Sequence, residues 1–567
     1  MFTNIGGGIV GVRNSFSATD REPCLKKMAE QQLDLLIVGG GITGAGIAWD
    51  ASLRGLNVGL VEKKDFGWGT SSRSTKLIHG GLRYLKQGEI SLVKEVGKER
   101  ALLYHLAPHL VHPLKMLLPM YKGGSLGPVS TSIGLWLYDW LAGVTKHERR
   151  TMLSTSITAT HEPLLSKDGM LGGGMYYEYM TDDARLTLEI MRSALIEGAL
   201  ACNYTEVTRF YYVEGRIEGA YVTDCCSGKE YLLKAKKIVN ATGPWVDNLR
   251  ELDKSKRGKR LHLTKGVHIV IPYERMPIKQ SLYFDTSDGR MVFAIPRGEI
   301  VYVGTTDTAY QDNIEHPIAS TGDRDYLLDA VNKLCPTLKL TREDVKSSWV
   351  GLRPLIYQEG KGPSELSRKD EIFLSPSGLI TIAGGKLTGF RKMAEKVVNL
   401  VCKQLRKEEQ LNFGPCITDN SPILGSGGHG PDGFRIQINT LQQKASELGV
   451  PQTQTKRWLF TYGCSTNEIF TNLQVEGRSK NSSPTEQELI GAELKYAWER
   501  EMICRSDDFL IRRTGLLFFY PELFIAYLHQ TIQFLAEKQH WTEQEKGEEQ
   551  KRMMQLYSEA LFTSNSK

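Results

Sequence analysis

Three glycines near the start of the chain have the spacing of a dinucleotide-binding turn. Gly39, Gly41 and Gly44 form a GxGxxG pattern within GGGITGAG. The first glycine permits a tight turn, the second lets a pyrophosphate approach the backbone, and the third lets a helix pack closely on a strand. Glu62 lies eighteen residues after Gly44. An acid at this position would accept hydrogen bonds from the adenosine ribose and would repel the 2′-phosphate of NADP.

The segment from Thr70 to Lys86, TSSRSTKLIHGGLRYLK, combines four cationic side chains, one histidine and a pair of glycines. Cationic side chains attract anions, and a histidine can exchange a proton near neutral pH. This charge and backbone freedom exceed what a nucleotide-binding turn needs, so the segment is expected to have a further role.

The elements around these residues predict a βαβ unit. Leu33–Val38 and Val58–Val61 have the apolar runs of buried strands. The pattern between them predicts a helix from about Gly44 to Arg54, with Gly55 as its stop signal. A glycine fingerprint between a strand and a helix is a much stronger signal than the same glycines alone.

Two later strands belong beside this unit. They are Ile238–Asn240, which ends in Ala241-Thr242-Gly243, and Leu379–Gly385, which runs into the helical pattern KLTGFRKMAEKVVNLV. Between them, Ser281–Thr308 alternates β-rich runs with the turns SDGR and PRGE and so predicts antiparallel strands. The expected fold is therefore α/β and α+β, a Rossmann-like domain interrupted by an antiparallel-sheet domain, with ligands bound where the two meet.

The rest of the chain divides into three further parts. Residues 1–32 predict a mobile extension, with a weak organelle-targeting role left open. Residues 418–434 are dense in Gly, Pro, Asn and Asp and predict a linker between 33–417 and a helical C-terminal domain, 435–567. Within YMTDDARL, the paired acids Asp182 and Asp183 favour a helix cap and a first-turn acid over a catalytic pair.

Composition restricts the classes of function. The 567 residues carry 71 Lys and Arg against 65 Asp and Glu, without a basic tail, so nucleic-acid binding is not expected. Nine scattered cysteines without a CxxC pair indicate a reducing compartment and no structural metal. No run reaches the ~18 apolar residues of a spanning helix. Residues 130–144, STSIGLWLYDWLAGV, fit either an interfacial helix or a packed core helix.

Several strings together resemble one family. In order they are GGGITGAG, TSSRSTKLIHGGLRYL, DDARL, NATGPWVD, LTKGVHIV, GTTDT, GLRPL, SRKDEI and AGGKLTGFRKMAE. From about Leu33 to Glu395 the chain resembles FAD-dependent glycerol-3-phosphate dehydrogenase, the aerobic, quinone-linked enzyme. The resemblance implies a fold of the glycine oxidase and D-amino-acid oxidase type. It also implies oxidation of sn-glycerol 3-phosphate to dihydroxyacetone phosphate, with electrons passing from FAD to membrane quinone.

The resemblance also implies the cofactor site. FAD-binding segments are expected at about 33–110, 180–245 and 350–405. Short hydroxyls would lie near the phosphates and ribityl chain, and a helix N-terminus would lie near the flavin pyrimidine. The implied residues are Gly39, Gly41, Gly44, Glu62, Thr70, Ser71, Ser72, Ala241, Thr242, Gly243, Gly384, Gly385, Lys386, Leu387 and Thr388.

The substrate site implied by the resemblance is cationic, because a phosphorylated triol carries about two negative charges that suit bidentate donors. The implied substrate-binding residues are Arg83, Tyr84, Arg353, Arg368 and Lys386.

The catalytic residues that the resemblance implies are a base and an anion-stabilising arginine. His268 is expected to remove the hydroxyl proton, and Arg353 to stabilise the developing alkoxide. His79 is expected to order its loop. The family's tyrosine is replaced by Phe390 in KLTGFRK, so no hydroxyl contact is carried over.

The resemblance further implies a cytoplasmic protein lying on the inner face of the cytoplasmic membrane, or on the mitochondrial inner membrane in a eukaryote. Contact with lipid is expected, and a homo-oligomer is left open. The alternatives are a glycerol-3-phosphate oxidase that makes hydrogen peroxide, an amine or amino-acid oxidase of the same superfamily, and a non-catalytic flavoprotein.

Overall fold

The computed structural model describes residues 16–81, 90–125, 127–142, 148–357, 370–428, 430–475 and 483–563. Within them the helices are α1 Arg21–Glu30, α2 Ile42–Leu53, α3 Ile90–Leu106, α4 Pro128–Ala142, α5 Thr155–His161, α6 Asp183–Ile196, α7 Val246–Leu252, α8 Thr321–Leu334, α9 Phe390–Glu409, α10 Gly430–Glu447, α11 Gln452–Tyr462, α12 Thr466–Val475, α13 Glu486–Arg500, α14 Leu516–Phe519, α15 Pro521–Gln539 and α16 Glu543–Ala560.

The strands form two sheets. In chain order they are β1 Gln32–Val38, β2 Val58–Val61, β3 Leu77–Ile78, β4 His112–Tyr121, β5 Thr151–Leu153, β6 Met170–Met180, β7 Leu200–Cys202, β8 Thr205–Val213, β9 Arg216–Asp224, β10 Glu230–Asn240, β11 Leu261–Pro272, β12 Ser281–Asp285, β13 Met291–Arg297, β14 Ile300–Gly304, β15 Thr308–Ala309, β16 Ser347–Ile356, β17 Glu371–Leu374 and β18 Ile380–Ala383.

The first sheet is the predicted Rossmann-like unit. Its order is β17-β18-β10-β1-β2-β7, with β1 parallel to both β10 and β2 and with the β8–β9 hairpin added at β10. Helices α2, α6 and α9 cover one face and share a core with β1 and β2. The predicted strand Val58–Val61 is confirmed residue for residue, and α2 begins at Ile42 rather than at Gly44.

The second sheet is mostly antiparallel and lies over the first. Its order is β15-β11-β14-β13-β12-β4-β6-β3, with β16 paired to β11 and β5 to β6. The strands β12 to β14 form the predicted antiparallel array, and α8 packs on the face away from the first sheet. The chain enters this sheet after β2, returns to the first sheet, and enters it again after β10, so the two sheets are interleaved in sequence.

Residues 16–32 correct the prediction of a mobile extension. Helix α1 packs on the face of the first sheet opposite α2, where Leu25 and Met28 are fully buried. Arg21 on this helix is also buried and forms an ion pair with Asp224 at 2.7 Å. The sequence pattern did not reveal this packing, because the strands that contact the helix are mainly β7 and β10, which lie far from it in the chain.

The segment predicted as a linker, 418–434, is folded onto the FAD-binding region. Ile423 is buried in the core shared by α2, α6 and α9, and helix α10 already begins at Gly430. A buried ionic contact holds the C-terminal helices as well: Asp65 accepts hydrogen bonds from Arg512 Nε and Arg513 Nη1, each at 2.5 Å. The helical region is therefore docked against the oxidoreductase region rather than tethered to it.

Candidate active site

A cavity of about 660 Å³ lies between the two sheets. The first sheet contributes its glycine turn and the loops after β2, β10 and β18, and the second sheet contributes residues of β11, β13 and β16 and the segment after β14. This is the junction at which the sequence analysis expected ligands.

The glycine turn has the form that a pyrophosphate requires. Gly39 has φ +114°, a conformation that disfavours other residues, and a Cβ there would lie 2.7 Å from the carbonyl oxygen of Ala241. A Cβ at Gly44 would lie 1.9 Å from the carbonyl oxygen of Gly39. Gly44 therefore acts in the close contact between helix and strand, away from the cavity, whereas Gly39 and Gly41 line it.

Substitution of Gly44 tests this packing. We expect Gly44→Ala to lose most of its bound flavin and to be less stable by about 1–3 kcal/mol, because the added methyl group pushes α2 from β1. Flavin content after gel filtration and the free energy of unfolding measure both effects. Gly547→Ala, where nothing lies within 4 Å of the added Cβ, is the matched control. A Gly44→Ala protein with full flavin content would contradict the assignment.

Glu62 stands at the end of β2, as the ribose contact requires. Its two carboxylate oxygens accept hydrogen bonds from the backbone N–H groups of Gly40 at 2.7 Å and Lys64 at 2.9 Å. Burial raises the pKa of the Glu62 carboxyl, and the two donors oppose that rise. Each carboxylate oxygen keeps a further lone pair for a ribose hydroxyl.

The three predicted hydroxyls divide into different roles. Ser71 lines the cavity, and its Oγ accepts a hydrogen bond from the N–H of Ile42 at the start of α2, at 2.9 Å. Thr70 also lines the cavity and donates to the carbonyl of Leu352 at 2.7 Å, which ties the two domains together. Ser72 is buried and does not reach this cavity, so the structure does not bring it to the site with the others.

The loops after β10 and β18 complete the cofactor side. Ala241, Thr242 and Gly243 line the cavity next to the glycine turn. The run from Gly384 to Thr388 lines its other end, and Gly384 and Gly385 both have positive φ. The glycine turn, Glu62 at the end of β2 and the loops after β10 and β18 together fit FAD.

His79 and Thr388 connect two of the cavity loops. The Thr388 hydroxyl accepts from the N–H of His79 and lies within donating distance of the His79 carbonyl, both at 3.2 Å. These bonds link the two loops through the backbone of His79, and its loop-ordering role stays a prediction. Phe390 is fully buried in the core of the first sheet.

His268 and Arg353 lie on adjacent strands of the second sheet and both face the cavity. Two glycines make room for them. A Cβ at Gly304 would lie 2.2 Å from the His268 ring, and a Cβ at Gly266 would lie 2.4 Å from Arg353 Nη2. Both side chains therefore lie flat on the sheet, a placement that larger residues at 266 and 304 would prevent.

His268 is held as a neutral imidazole. Its ring stacks on Trp349 with centroids 4.6 Å apart, and its Nε2 lies 3.0 Å from the Thr75 hydroxyl. Burial, together with the charges of Arg353 and Lys76, lowers the pKa of the His268 imidazole well below its usual value of 6.5. A neutral ring can accept a proton, and the same two cations would stabilise an anion beside it.

Arg353 is oriented by the GTTDT segment. Its Nη2 donates to the Thr305 hydroxyl at 2.8 Å, and its Nη1 donates to the Thr306 carbonyl and to Asp307 Oδ1, each at 3.2 Å. The GTTDT string is one of those that resemble the family, and no role for it was predicted from the sequence. The structure supplies one, because these contacts fix the plane of the guanidinium.

Asp183 is a further site residue that was missed. Its carboxylate accepts from Lys76 Nζ at 2.5 Å and from the Ser74 N–H at 2.8 Å, so it holds the loop that carries Thr75. Asp182 caps α6 by accepting from the N–H of Arg185, as predicted. The DDARL pair is thus a helix cap followed by a loop anchor.

The structure describes one of the four remaining predicted substrate residues. Lys386 lines the cavity with Arg353. Arg83, Tyr84 and Arg368 lie outside the described residues.

Comparisons with known proteins identify sequences related to this chain. Residues 34–391 match the model of the FAD dependent oxidoreductase family, and residues 416–546 match the model described as the C-terminal domain of alpha-glycerophosphate oxidase. The chain is 50% identical over 554 residues to the aerobic glycerol-3-phosphate dehydrogenase of Bacillus subtilis (strain 168), covering 97% of this chain and 99% of that protein.

Solved structures show the same relationship. The FAD complex of the glycerol-3-phosphate dehydrogenase from Bacillus halodurans has a TM-score of 0.83 at 42% identity and covers 97% of this chain and 99% of its own. Glycine oxidase from Geobacillus kaustophilus has a TM-score of 0.50 at 20% identity, over 65% of this chain and 94% of that one. The second likeness is one of fold alone and confirms the predicted fold class.

Proposed function

Because this chain belongs to the aerobic glycerol-3-phosphate dehydrogenase family of FAD-dependent oxidoreductases, we propose that it oxidises sn-glycerol 3-phosphate to dihydroxyacetone phosphate and passes the electrons to a membrane quinone. The observation that carries the proposal is the shared cavity, in which a neutral histidine and an oriented arginine face the loops that fit FAD. FAD held by the glycine turn, Glu62 and the loops after β10 and β18 would supply the acceptor for the hydride at C2 of the substrate.

The protein's own part is to move a proton and to stabilise charge. His268 accepts the proton of the C2 hydroxyl, since its imidazole is neutral over the working pH range. Arg353 stabilises the alkoxide that develops at C2 as this proton leaves. The contacts of Arg353 with Thr305 and Thr306 orient it before the substrate arrives, so little reorganisation is needed during the reaction.

The phosphate of the substrate requires a cationic pocket. Within the described residues, Lys386 lines the cavity at the loop after β18. Arg83, Tyr84 and Arg368 are proposed to complete this pocket, on the strength of the family resemblance. A phosphate pocket also separates this proposal from an amino-acid oxidase, which would need a carboxylate clamp and an apolar side-chain pocket.

An exposed apolar face supports contact with a membrane and its quinone. Helix α4 presents Val129, Ile133, Trp136 and Trp140 outward, with exposed fractions of 73%, 59%, 56% and 69%. These positions share one face of a helix. No helix in the described part of the chain has both the length and the apolar composition needed to span a bilayer. We propose that α4 lies in the interface, with the protein on the inner face of the cytoplasmic membrane.

The opposite face of α4 reaches the cavity wall. The Tyr138 hydroxyl donates to Glu178 Oε2 at 2.8 Å and accepts from the N–H of Gly80 at 3.1 Å. Glu178 and Tyr176 line the cavity. One helix therefore lies between the exposed apolar face and the cavity, which is a short path for electrons to a lipid-soluble acceptor.

Removing the two tryptophans tests the membrane contact. We expect the double variant Trp136→Ser and Trp140→Ser to bind phosphatidylglycerol vesicles at least about tenfold more weakly in sedimentation assays, because burial of a large apolar side chain contributes roughly 1.5–3 kcal/mol. Turnover with a water-soluble quinone analogue should be unchanged. Ile436→Ser, which alters another exposed apolar side chain, on α10, is the control. Equal vesicle binding by the double variant and the wild type would show that this face of α4 does not bind the membrane.

The reaction is tested by anaerobic titration of the holoenzyme with sn-glycerol 3-phosphate while the visible flavin absorbance is followed. The expected result is rapid bleaching that a quinone analogue reverses and that oxygen reverses slowly. If oxygen reverses the bleaching as fast as the quinone analogue does, the protein is a glycerol-3-phosphate oxidase. Bleaching by amino acids alone would assign an amino-acid oxidase, and no bleaching by any of these substrates would overturn the proposal.

A further inference from the structure

Three cysteines surround one buried arginine at the contact between the FAD-binding region and the C-terminal helices. Cys202 ends β7, Cys226 lies in the turn between β9 and β10, and Cys504 follows α13. Cys226 is exposed, whereas Cys202 and Cys504 are buried. The site is formed around Arg21, on the helix that the sequence analysis assigned to an extension.

A continuous set of contacts through Arg21 connects Cys226 with Cys504. The N–H of Cys226 donates to Asp224 Oδ1 at 3.1 Å, and Arg21 Nη2 donates to the same oxygen at 2.7 Å. Arg21 Nε donates to Asn203 Oδ1 at 3.1 Å, and the Cys504 thiol donates to that oxygen at 3.9 Å. The thiols of Cys226 and Cys504 are close enough for each to shift the pKa of the other.

The two thiols are chemically unequal. The interaction with Cys504 and the charge of Arg21 lower the pKa of the Cys226 thiol, whereas the same interaction and burial raise the pKa of Cys504. A thiolate is the nucleophile in thiol chemistry, and a guanidinium favours it. Redox-sensitive sites combine an accessible thiol of low pKa with a neighbouring resolving thiol. Cys226 has the properties of the accessible thiol of low pKa, and Cys504 has those of the resolving thiol.

We propose that Cys226 and Cys504 are a peroxide-sensitive thiol pair that closes to a disulfide between the two regions. The Cys226 thiolate attacks hydrogen peroxide, breaks the O–O bond and becomes a sulfenic acid, with hydroxide as the leaving group. The Cys504 sulfur then attacks the sulfenic sulfur, and the sulfenic oxygen leaves as water with the Cys504 proton. Two thiols are oxidised to one disulfide, and one peroxide is reduced to two waters.

The position of Cys504 gives the bond a structural consequence. The N–H of Cys504 donates to Asp508 Oδ2 at 2.6 Å, and Asp508 Oδ1 accepts from Arg512 Nη2 at 2.5 Å. Arg512 in turn contacts Asp65 of the FAD-binding region. A disulfide at Cys504 would therefore fix the β9–β10 turn to the ionic contact that docks the C-terminal helices.

The test is oxidation of the full-length holoenzyme with graded hydrogen peroxide, followed by alkylation and peptide mapping without reductant. The expected result is the loss of two of the nine free thiols, a Cys226–Cys504 cross-linked peptide, and a rise in the thermal midpoint that dithiothreitol reverses. Cys226→Ser and Cys504→Ser should abolish all three effects.

Two controls make the result specific. Cys225→Ser alters the adjacent exposed cysteine, and it should leave the cross-link unchanged. Cys202→Ser removes the third thiol near Arg21, whose pKa is raised to about 11, and it should also leave the cross-link unchanged. A Cys225–Cys226 disulfide, a Cys226 disulfide between two copies, or oxidation of Cys226 beyond sulfenic acid without a cross-link would overturn the proposal.

Discussion

Replacing Arg353 with lysine is expected to lower kcat by about 100-fold, and replacing it with methionine by about 1,000-fold. Loss of a donor aimed at a developing oxyanion costs roughly 10²–10³ in kcat. Lysine keeps the charge but cannot keep both the 2.8 Å contact with Thr305 and the 3.2 Å contact with Asp307, because it lacks the planar fork of arginine. Steady-state kinetics with sn-glycerol 3-phosphate and a saturating quinone analogue measure the effect.

The division between kcat and KM decides what Arg353 does. A fall in kcat places its contribution in the transition state, whereas a rise in KM with kcat unchanged would assign it to uniform binding of the substrate, and our assignment would be wrong. Arg342→Lys is the control, because its exposed pair with Asp325 lies outside the cavity. Flavin content and the thermal midpoint must stay near the wild-type values for the comparison to hold.

The cofactor side of this protein was predictable because its signals are local. Gly39, Gly41 and Glu62 lie within a single βαβ unit, and each is required by the geometry of one turn or one strand end. The structure places all three at the cavity. Sequence reasoning placed Ser72 there as well, because it adjoins Thr70 and Ser71, but successive residues of a tight turn point in different directions.

The catalytic side was less predictable because its residues are brought together by the register between strands of the second sheet. His268 is paired in register with Trp349 on β16 and with Gly304 on β14. No spacing rule connects positions that far apart in the chain. The family resemblance supplied His268, whereas the stacked Trp349 and the vacant position at Gly304 became visible only once the strands were aligned.

Thr75 illustrates the same limit at shorter range. It lies in the cationic segment from Thr70 to Lys86, yet its bond to His268 Nε2 depends on the contacts of Asp183 with Ser74 and Lys76. Sequence alone showed a cap and a first-turn acid at the start of α6. One of the four cations in the segment therefore has structural and electrostatic roles, since Lys76 binds Asp183 and lowers the pKa of His268.

Replacing His268 with glutamine is expected to lower kcat by about 10²–10⁴-fold, the contribution typical of a general base. The amide of glutamine can keep a hydrogen bond with Thr75 but cannot accept a proton at these pH values, so the change isolates the chemical role. His529→Gln, an exposed position on α15, is the matched control. Rapid-reaction measurement of flavin bleaching separates this step from quinone reduction.

The pH dependence provides the second readout. The pKa of His268 lies well below 6.5. The wild type should therefore keep its kcat when the pH falls below 6.5, and should lose it only in more acidic solution, where the imidazole becomes protonated. His268→Gln should lose this acidic limb along with most of its activity. If the variant keeps the limb, another group is the base, and His79, which also faces the cavity, becomes the residue to replace. A kcat within about threefold of the wild type would show that His268 is structural, with its stacking on Trp349 as the reason for its burial.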